Sequence, residues 1–254
     1  MPYTTVAGER LFYALFEGDP SHKRNLVLVH GAGGDHTHWP AALRRLAGVT
    51  VYALDLPGHG RSAGRGRTSI EDYADTVHLF VQTLGLKRAS LVGHSMGGAI
   101  AQTLALRRPV WLVGVVLIGT GARLPVDPRI LEALQNNFEA AVDILCQWAY
   151  GPTAGQQMQR QGRQLLLRTA PTVMRGDYAA CAAFDITDRV GDIALPALIV
   201  TGSADQMTPP SCGEYLHSRI AGSQWVEIKG GGHMLAVEKP LEVAQAVAHF
   251  LGAL

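Results

Sequence analysis

The chain has 254 residues, 47% of them hydrophobic and 17% charged, with 22 Lys and Arg against 21 Asp and Glu. That apolar content excludes a disordered chain, and a net charge of +1 supplies no global attraction to nucleic acid or to acidic membranes. Three scattered cysteines, Cys146, Cys181 and Cys212, lie in no C-x-x-C spacing and exclude a disulfide framework or a zinc or redox motif of that kind.

The opening segment 3–16 reads as an antiparallel hairpin at a sheet edge. Short β-branched runs follow at 26–29, 49–54, 89–92, 113–118 and 197–200, continuous enough to be strands buried on both faces of a parallel sheet, and the run 225–228 reads as one more strand. Helical stretches separate them, at 37–46, 69–84, 96–107, 210–220 and 240–251. Ser69 is placed to cap the second of these, with Glu71 and Asp72 in its first turn favoured by the helix dipole. The alternation predicts an α/β fold: a mostly parallel eight-stranded sheet with right-handed crossovers and helices on both faces.

The rhythm breaks between 121 and 190, where no strand candidate occurs. Asp127 can cap a helix that has Pro128 at its first position, and Ile130, Leu134, Phe138, Val142 and Leu145 recur at near-helical spacing. Asn136-Asn137 divides that run, and two further helices fit 153–168 and 172–184. The domain reading is a core of 1–120 and 191–254 with a helical cap at 121–190. Such a cap would wall a site beyond the carboxyl ends of the strands. The N-terminus lacks a basic stretch leading into an apolar one, and the apolar runs fall short of the ~18 residues of a membrane helix. The expectation is a cytoplasmic monomer or homodimer with no membrane or nucleic-acid partner.

Gly93-His94-Ser95-Met96-Gly97 carries the chemistry. It follows the run 89–92 and precedes a helix, which makes it a nucleophile elbow: Ser95 on a sharp strand-to-helix turn, between glycines where side chains would strike backbone. A serine hydroxyl needs a base, and the base needs an orienting group. Among ten histidines, His233 stands in a glycine loop, Gly230-Gly231-Gly232-His233, at the end of the 225–228 run. His30, His36, His38, His59 and His94 also lie near strand ends and read as structural or pocket-lining. Asp205 follows the strand 197–200 and falls between nucleophile and base in chain order, with Asp185 and Asp188 in reserve.

Five ordered motifs then resemble one family across nearly the whole chain: His30-Gly31-Ala32-Gly33-Gly34, Asp55-Leu56-Pro57-Gly58-His59-Gly60-Arg61-Ser62, Gly93–Gly98, Gly202-x-x-Asp205 and Gly232-His233. The chain is similar to the α/β-hydrolase fold proteins, of the small capped carboxylesterase and lactonase type. The resemblance implies Ser95 as nucleophile, His233 as base, Asp205 as acid, and an oxyanion hole made by the backbone N–H groups of Ala32 and Met96. It implies no cofactor and no metal. Relatives with an aspartate nucleophile, the dehalogenases and epoxide hydrolases, are less similar because Ser95 stands in that place.

The expected activity is hydrolysis of carboxylic esters of small to medium acyl chain, with lactone hydrolysis on the same triad as the alternative; a haloperoxidase-like hydrolase or a ligand receptor on this fold ranks lower. Trp39, Leu124, Phe138, Leu145, Trp148, Tyr150, Met207 and Met234 are the expected pocket walls. Two rivals come from other classes. Gly31-Ala32-Gly33 with Asp55 suggests dinucleotide binding, but the third glycine of that fingerprint is His36. Asp35-His36-Thr37-His38 suggests a metal, but no second ligand cluster accompanies it.

Overall fold

In a computed structural model, which describes residues 2–18 and 24–254, eight strands form one sheet. In chain order they are β1 (Tyr3–Val6), β2 (Glu9–Phe16), β3 (Arg24–Val29), β4 (Val49–Leu54), β5 (Ala89–His94), β6 (Leu112–Ile118), β7 (Ala197–Gly202) and β8 (Gln224–Ile228). Their spatial order is β1-β2-β4-β3-β5-β6-β7-β8; β1 and β2 pair antiparallel at the edge and every pair from β4 to β8 is parallel. The hairpin and all six predicted runs are therefore strands.

The helices are α1 (Ala41–Arg44), α2 (Ile70–Thr83), α3 (Met96–Arg107), α4 (Pro128–Asn136), α5 (Phe138–Ala149), α6 (Gln156–Leu166), α7 (Pro171–Ala183), α8 (Pro210–Arg219), α9 (Leu235–Glu238) and α10 (Pro240–Gly252). Ser69 caps α2 by accepting from the Asp72 N–H at 3.1 Å, and Asp127 caps α4 with Pro128 in its first turn, as expected. The predicted helix at 37–46 is a correction. A 3-10 turn, His36–His38, comes first, and Pro40 starts a single-turn α1. Asp35 takes the Thr37 N–H and Pro40 supplies no donor, so the two turns cannot fuse.

The period of two in the central strands sorts their side chains between two cores. Val27 and Val29 of β3 face the cluster built with Val77 and Phe80 of α2 and Ile100 and Leu104 of α3. Leu26 and Leu28 face the opposite cluster, with Leu43 of α1 and Val243, Val247 and Phe250 of α10. Each fully buried large aliphatic contributes roughly 1.5–3 kcal/mol relative to exposure. Such two-sided burial is why these strands lack any polar alternation.

All of α4–α7 lies between β6 and β7, and the segment's ends meet in a bridge between Arg123 and Asp185, closed by the Ile186 N–H on the Ala122 carbonyl at 2.8 Å. These helices share a small core of their own around Ile130, Leu134, Leu145 and Met174. From β3 the chain moves one way across the sheet and from β5 the other. The β3 and β5 carboxyl ends thus flank the topological switch point, where open α/β sheets bind ligands. No helix among the described residues is long and apolar enough to cross a membrane.

Candidate active site

Ser95 sits between β5 and α3 at φ 53°, ψ −115°, a left-handed conformation in which a non-glycine residue is strained. Its backbone is held on both sides. The Ser95 N–H donates to the Ile118 carbonyl at 2.9 Å, and its carbonyl accepts from Thr120 Oγ1 at 2.9 Å and the Gly98 N–H at 2.8 Å. A Cβ at Gly93 would collide with the Gly97 carbonyl, and one at Gly97 with the Val29 carbonyl. Both obstacles are backbone. Gly97→Ala is therefore expected to destabilise the fold by about 3 kcal/mol or more, read from urea unfolding.

At the end of β7, Asp205 is 4% exposed and satisfies both carboxylate oxygens. One accepts the N–H groups of Met207 and Thr208 at 2.8 and 2.9 Å; the other accepts Thr208 Oγ1 at 2.7 Å and His233 Nδ1 at 3.0 Å. A carboxylate only accepts, so His233 carries its proton on Nδ1 and presents Nε2 as a base. Burial alone would raise the Asp205 pKa. The facing His233 and the donated hydrogen bonds outweigh it and hold the carboxyl below its ordinary value.

His94 fixes the other side of His233. Its ring lies 4.8 Å from the His233 ring, and its Nε2–H donates to the His233 carbonyl at 2.9 Å. Burial pushes the His94 pKa well down, with the nearby His233 and His38 adding to the effect, so this brace is a neutral imidazole. Glu238 accepts the Gly232 N–H at 3.2 Å and the Gly151 N–H at 2.9 Å, which ties the His233 loop to the turn between α5 and α6.

After β3, the Gly34 N–H donates to the Gly31 carbonyl at 3.1 Å and the Gly33 N–H to Asp177 at 2.8 Å. Among the described residues the Ala32 N–H makes no hydrogen bond and stays available. Met96 opens α3, where the first-turn N–H groups have no intrahelical acceptor.

Ser95, His233, Ala32 and Thr208 line one cavity of about 260 Å³. Of the expected walls, Leu124, Leu145, Trp148, Met207 and Met234 line it too. Tyr150 lines a neighbouring cavity of about 180 Å³ that shares Met234 and His38 with the first. Phe138 packs half-buried on the core of the helical segment. Trp39 is 1% exposed in the core on the α10 side of the sheet, because the 3-10 turn carries the chain past the pocket before Trp39 is reached. The sequence reading assigned no wall to Val126, Ile130 or Leu166, which line the cavity; all lie on or beside helices whose facing side a periodicity alone leaves open. Cys181 borders it as well, its thiol pushed far up by burial and so not a thiolate.

The rival motifs are otherwise employed. Asp55 is fully buried and accepts from the His36 and Arg61 N–H groups and from His36 Nδ1, so no ribose could reach it. Asp35, His36 and Asp55 stand close together, but His36 and Asp55 are spent on each other and Asp35 on Thr37.

Residues 26–246 match the model of the alpha/beta hydrolase family. The chain belongs to that family. As an alpha/beta hydrolase it is similar to a pimeloyl-[acyl-carrier protein] methyl ester esterase of Neisseria meningitidis, 28% identical over 84% of this chain and 72% of the relative. Among solved structures it resembles a thermophilic esterase at 33% identity and TM-score 0.84, covering 99% of this chain and 97% of the other. It also resembles the enol-lactonase of Burkholderia xenovorans LB400 at 26% identity and TM-score 0.89, covering 99% and 100%. This alpha/beta hydrolase thus stands among esterase and lactonase relatives.

Proposed function

We propose that this hydrolase is a serine carboxylesterase that cleaves esters of small to medium acyl chain through an acyl-enzyme. The observation that carries the reading is His233, held by Asp205 at 3.0 Å, lining one cavity with Ser95 on its strained elbow. Ser95 Oγ attacks the ester carbonyl as its proton passes to His233 Nε2. The N–H groups of Ala32 and Met96 receive the oxyanion, each donor of this kind being worth ~3 kcal/mol. The imidazolium then protonates the leaving alcohol, and water, deprotonated by the same nitrogen, releases the acid. Every proton in both steps stays on these groups, the solvent or the substrate. Residues 121–190 act as the cap over a core of 1–120 and 191–254, since Leu124, Leu145 and Trp148 of that segment wall the cavity.

A cavity of about 260 Å³ with mostly apolar walls suits a short acyl chain better than a long or charged one. Hydrolysis of p-nitrophenyl acetate, butyrate, octanoate and palmitate is the test. The fastest turnover is expected between acetate and octanoate, with palmitate slow and all activity gone in Ser95→Ala. No turnover above the variant's background on any ester would overturn the reading. The likeness to an enol-lactonase favours one second reading, lactone opening on the same residues, which a lactone panel would separate.

A further inference from the structure

Asp177 lies on α7, in the helical segment, and is fully buried. It touches neither Ser95 nor His233, yet its carboxylate collects three donors from three other parts of the chain: the Gly33 N–H at 2.8 Å, His59 Nε2 at 2.8 Å and Tyr73 Oη at 2.5 Å. From the same segment, Thr169 Oγ1 donates to the Gly33 carbonyl at 2.8 Å. Gly33 is therefore gripped at both its N–H and its C=O by the segment that walls the cavity.

The grip bears on one atom. A peptide group is planar, so holding one end of it aims the other. The plane before Ala32 is held at the Gly31 carbonyl, which accepts His30 Nδ1 at 2.8 Å and the Gly34 N–H at 3.1 Å. The plane after Ala32 is held at the Gly33 N–H by Asp177. The Ala32 N–H lies in the first plane, and Asp177 fixes the second, which limits the turn about the Ala32 Cα and so the swing of the first plane with its N–H. Gly33 itself sits at φ +68°, a conformation that only such tethering or a glycine makes inexpensive.

The carboxylate is itself immobilised. His59 Nδ1 faces the Pro57 carbonyl at 3.0 Å and Nε2 faces Asp177, and neither oxygen can donate. Both ring nitrogens must therefore carry protons, making the pair a buried imidazolium and carboxylate. Burial opposes the charge on His59, but the charge and hydrogen bond of Asp177 outweigh it and raise its pKa.

Resting on the esterase reading above, we propose that Asp177 is a positioning residue for the oxyanion hole: through Gly33 it sets the Ala32 N–H, so the hole is complete only with the helical segment docked. Asp177→Asn keeps the volume but turns one acceptor into a donor facing donors. The expected result, in variant confirmed folded by circular dichroism, is a loss of kcat on p-nitrophenyl butyrate on the order of 100-fold with KM within about threefold. Labelling of Ser95 by a fluorophosphonate should slow in parallel. Val247→Ala, in the α10 core far from this network, serves as a destabilised control and should leave kcat unchanged.

Wild-type kcat and labelling in folded Asp177→Asn would overturn the proposal while leaving the esterase reading intact. Failure of the wild type to label at Ser95 would overturn both. Should Asp177→Asn not fold, Thr169→Val decides: it drops the hydrogen bond on the carbonyl of the same residue, Gly33, and an expected kcat loss of about tenfold in a variant that stays folded is the supporting result. Unchanged kcat there would overturn the proposal.

Discussion

Ser95→Ala should lower kcat by roughly 10⁵- to 10⁶-fold while the protein stays folded. The side chain that is lost makes the only covalent bond between enzyme and substrate in the proposed reaction. Its backbone role is kept, because the N–H on Ile118 and the carbonyl on Thr120 and Gly98 need no hydroxyl. Alanine tolerates the left-handed elbow about as poorly as serine, so the strain at φ 53° is unchanged between the two proteins. The ester should still bind, since the apolar walls and the Ala32 and Met96 donors remain. The deficit therefore belongs in kcat, with KM nearly constant, and pre-steady-state measurements with excess ester would show no acyl-enzyme burst. A variant that kept more than a hundredth of the wild-type kcat would move the nucleophile elsewhere.

What was legible in the sequence followed from local rules. Strands buried on both faces announce themselves as unbroken apolar runs, and β3 to β7 appeared that way, whereas β8 carries Glu227 and is mostly half-exposed. The elbow was legible because two backbone approaches, Gly93 to Gly97 and Gly97 to Val29, exclude every side chain. Asp205 and His233 were legible from their place after strands, although only the fold brings them to 3.0 Å. Trp39 was not legible as core, because its position depends on a 3-10 turn that hydrophobic spacing does not encode.

The tethers between the helical segment and the catalytic loops were hidden for another reason: each joins residues far apart in the chain. Asp177 to Gly33 spans 144 positions, and Gly151 to Glu238 spans 87. A faint signal did exist. Asp177 falls on the same helical stripe as Val173, Met174, Ala180 and Cys181, and all four are buried. A carboxylate on an apolar stripe needs a partner. That argument predicts a buried pair, but His59 and Gly33 as the partners come only from the fold. Both tethers have the segment doing more than walling a pocket: α7 grips the loop of Ala32, and the turn after α5 is tied through Glu238 to the loop of His233.

Asp205→Asn is the second substitution with a large expected effect, on the order of 10⁴ in kcat. The amide must keep its oxygen toward the Met207 and Thr208 N–H groups, which leaves its NH₂ facing Thr208 Oγ1 and His233 Nδ1. His233 Nδ1 would then accept, its proton would move to Nε2, and the nitrogen proposed to take the Ser95 proton would become a donor. The base is lost without moving an atom far. Stability carries an independent signature of the same carboxylate. Its pKa is depressed in the folded protein, so its stabilisation is present above the unfolded value of about 3.9 and is lost as pH falls through the folded value. Asparagine has no proton to take up there. Urea unfolding between pH 7 and pH 3 should therefore fall more steeply for the wild type than for Asp205→Asn on the acid side. Parallel slopes would mean that the carboxyl titrates alike in the folded and unfolded chains, contrary to a native state that donates four hydrogen bonds to its ionised form.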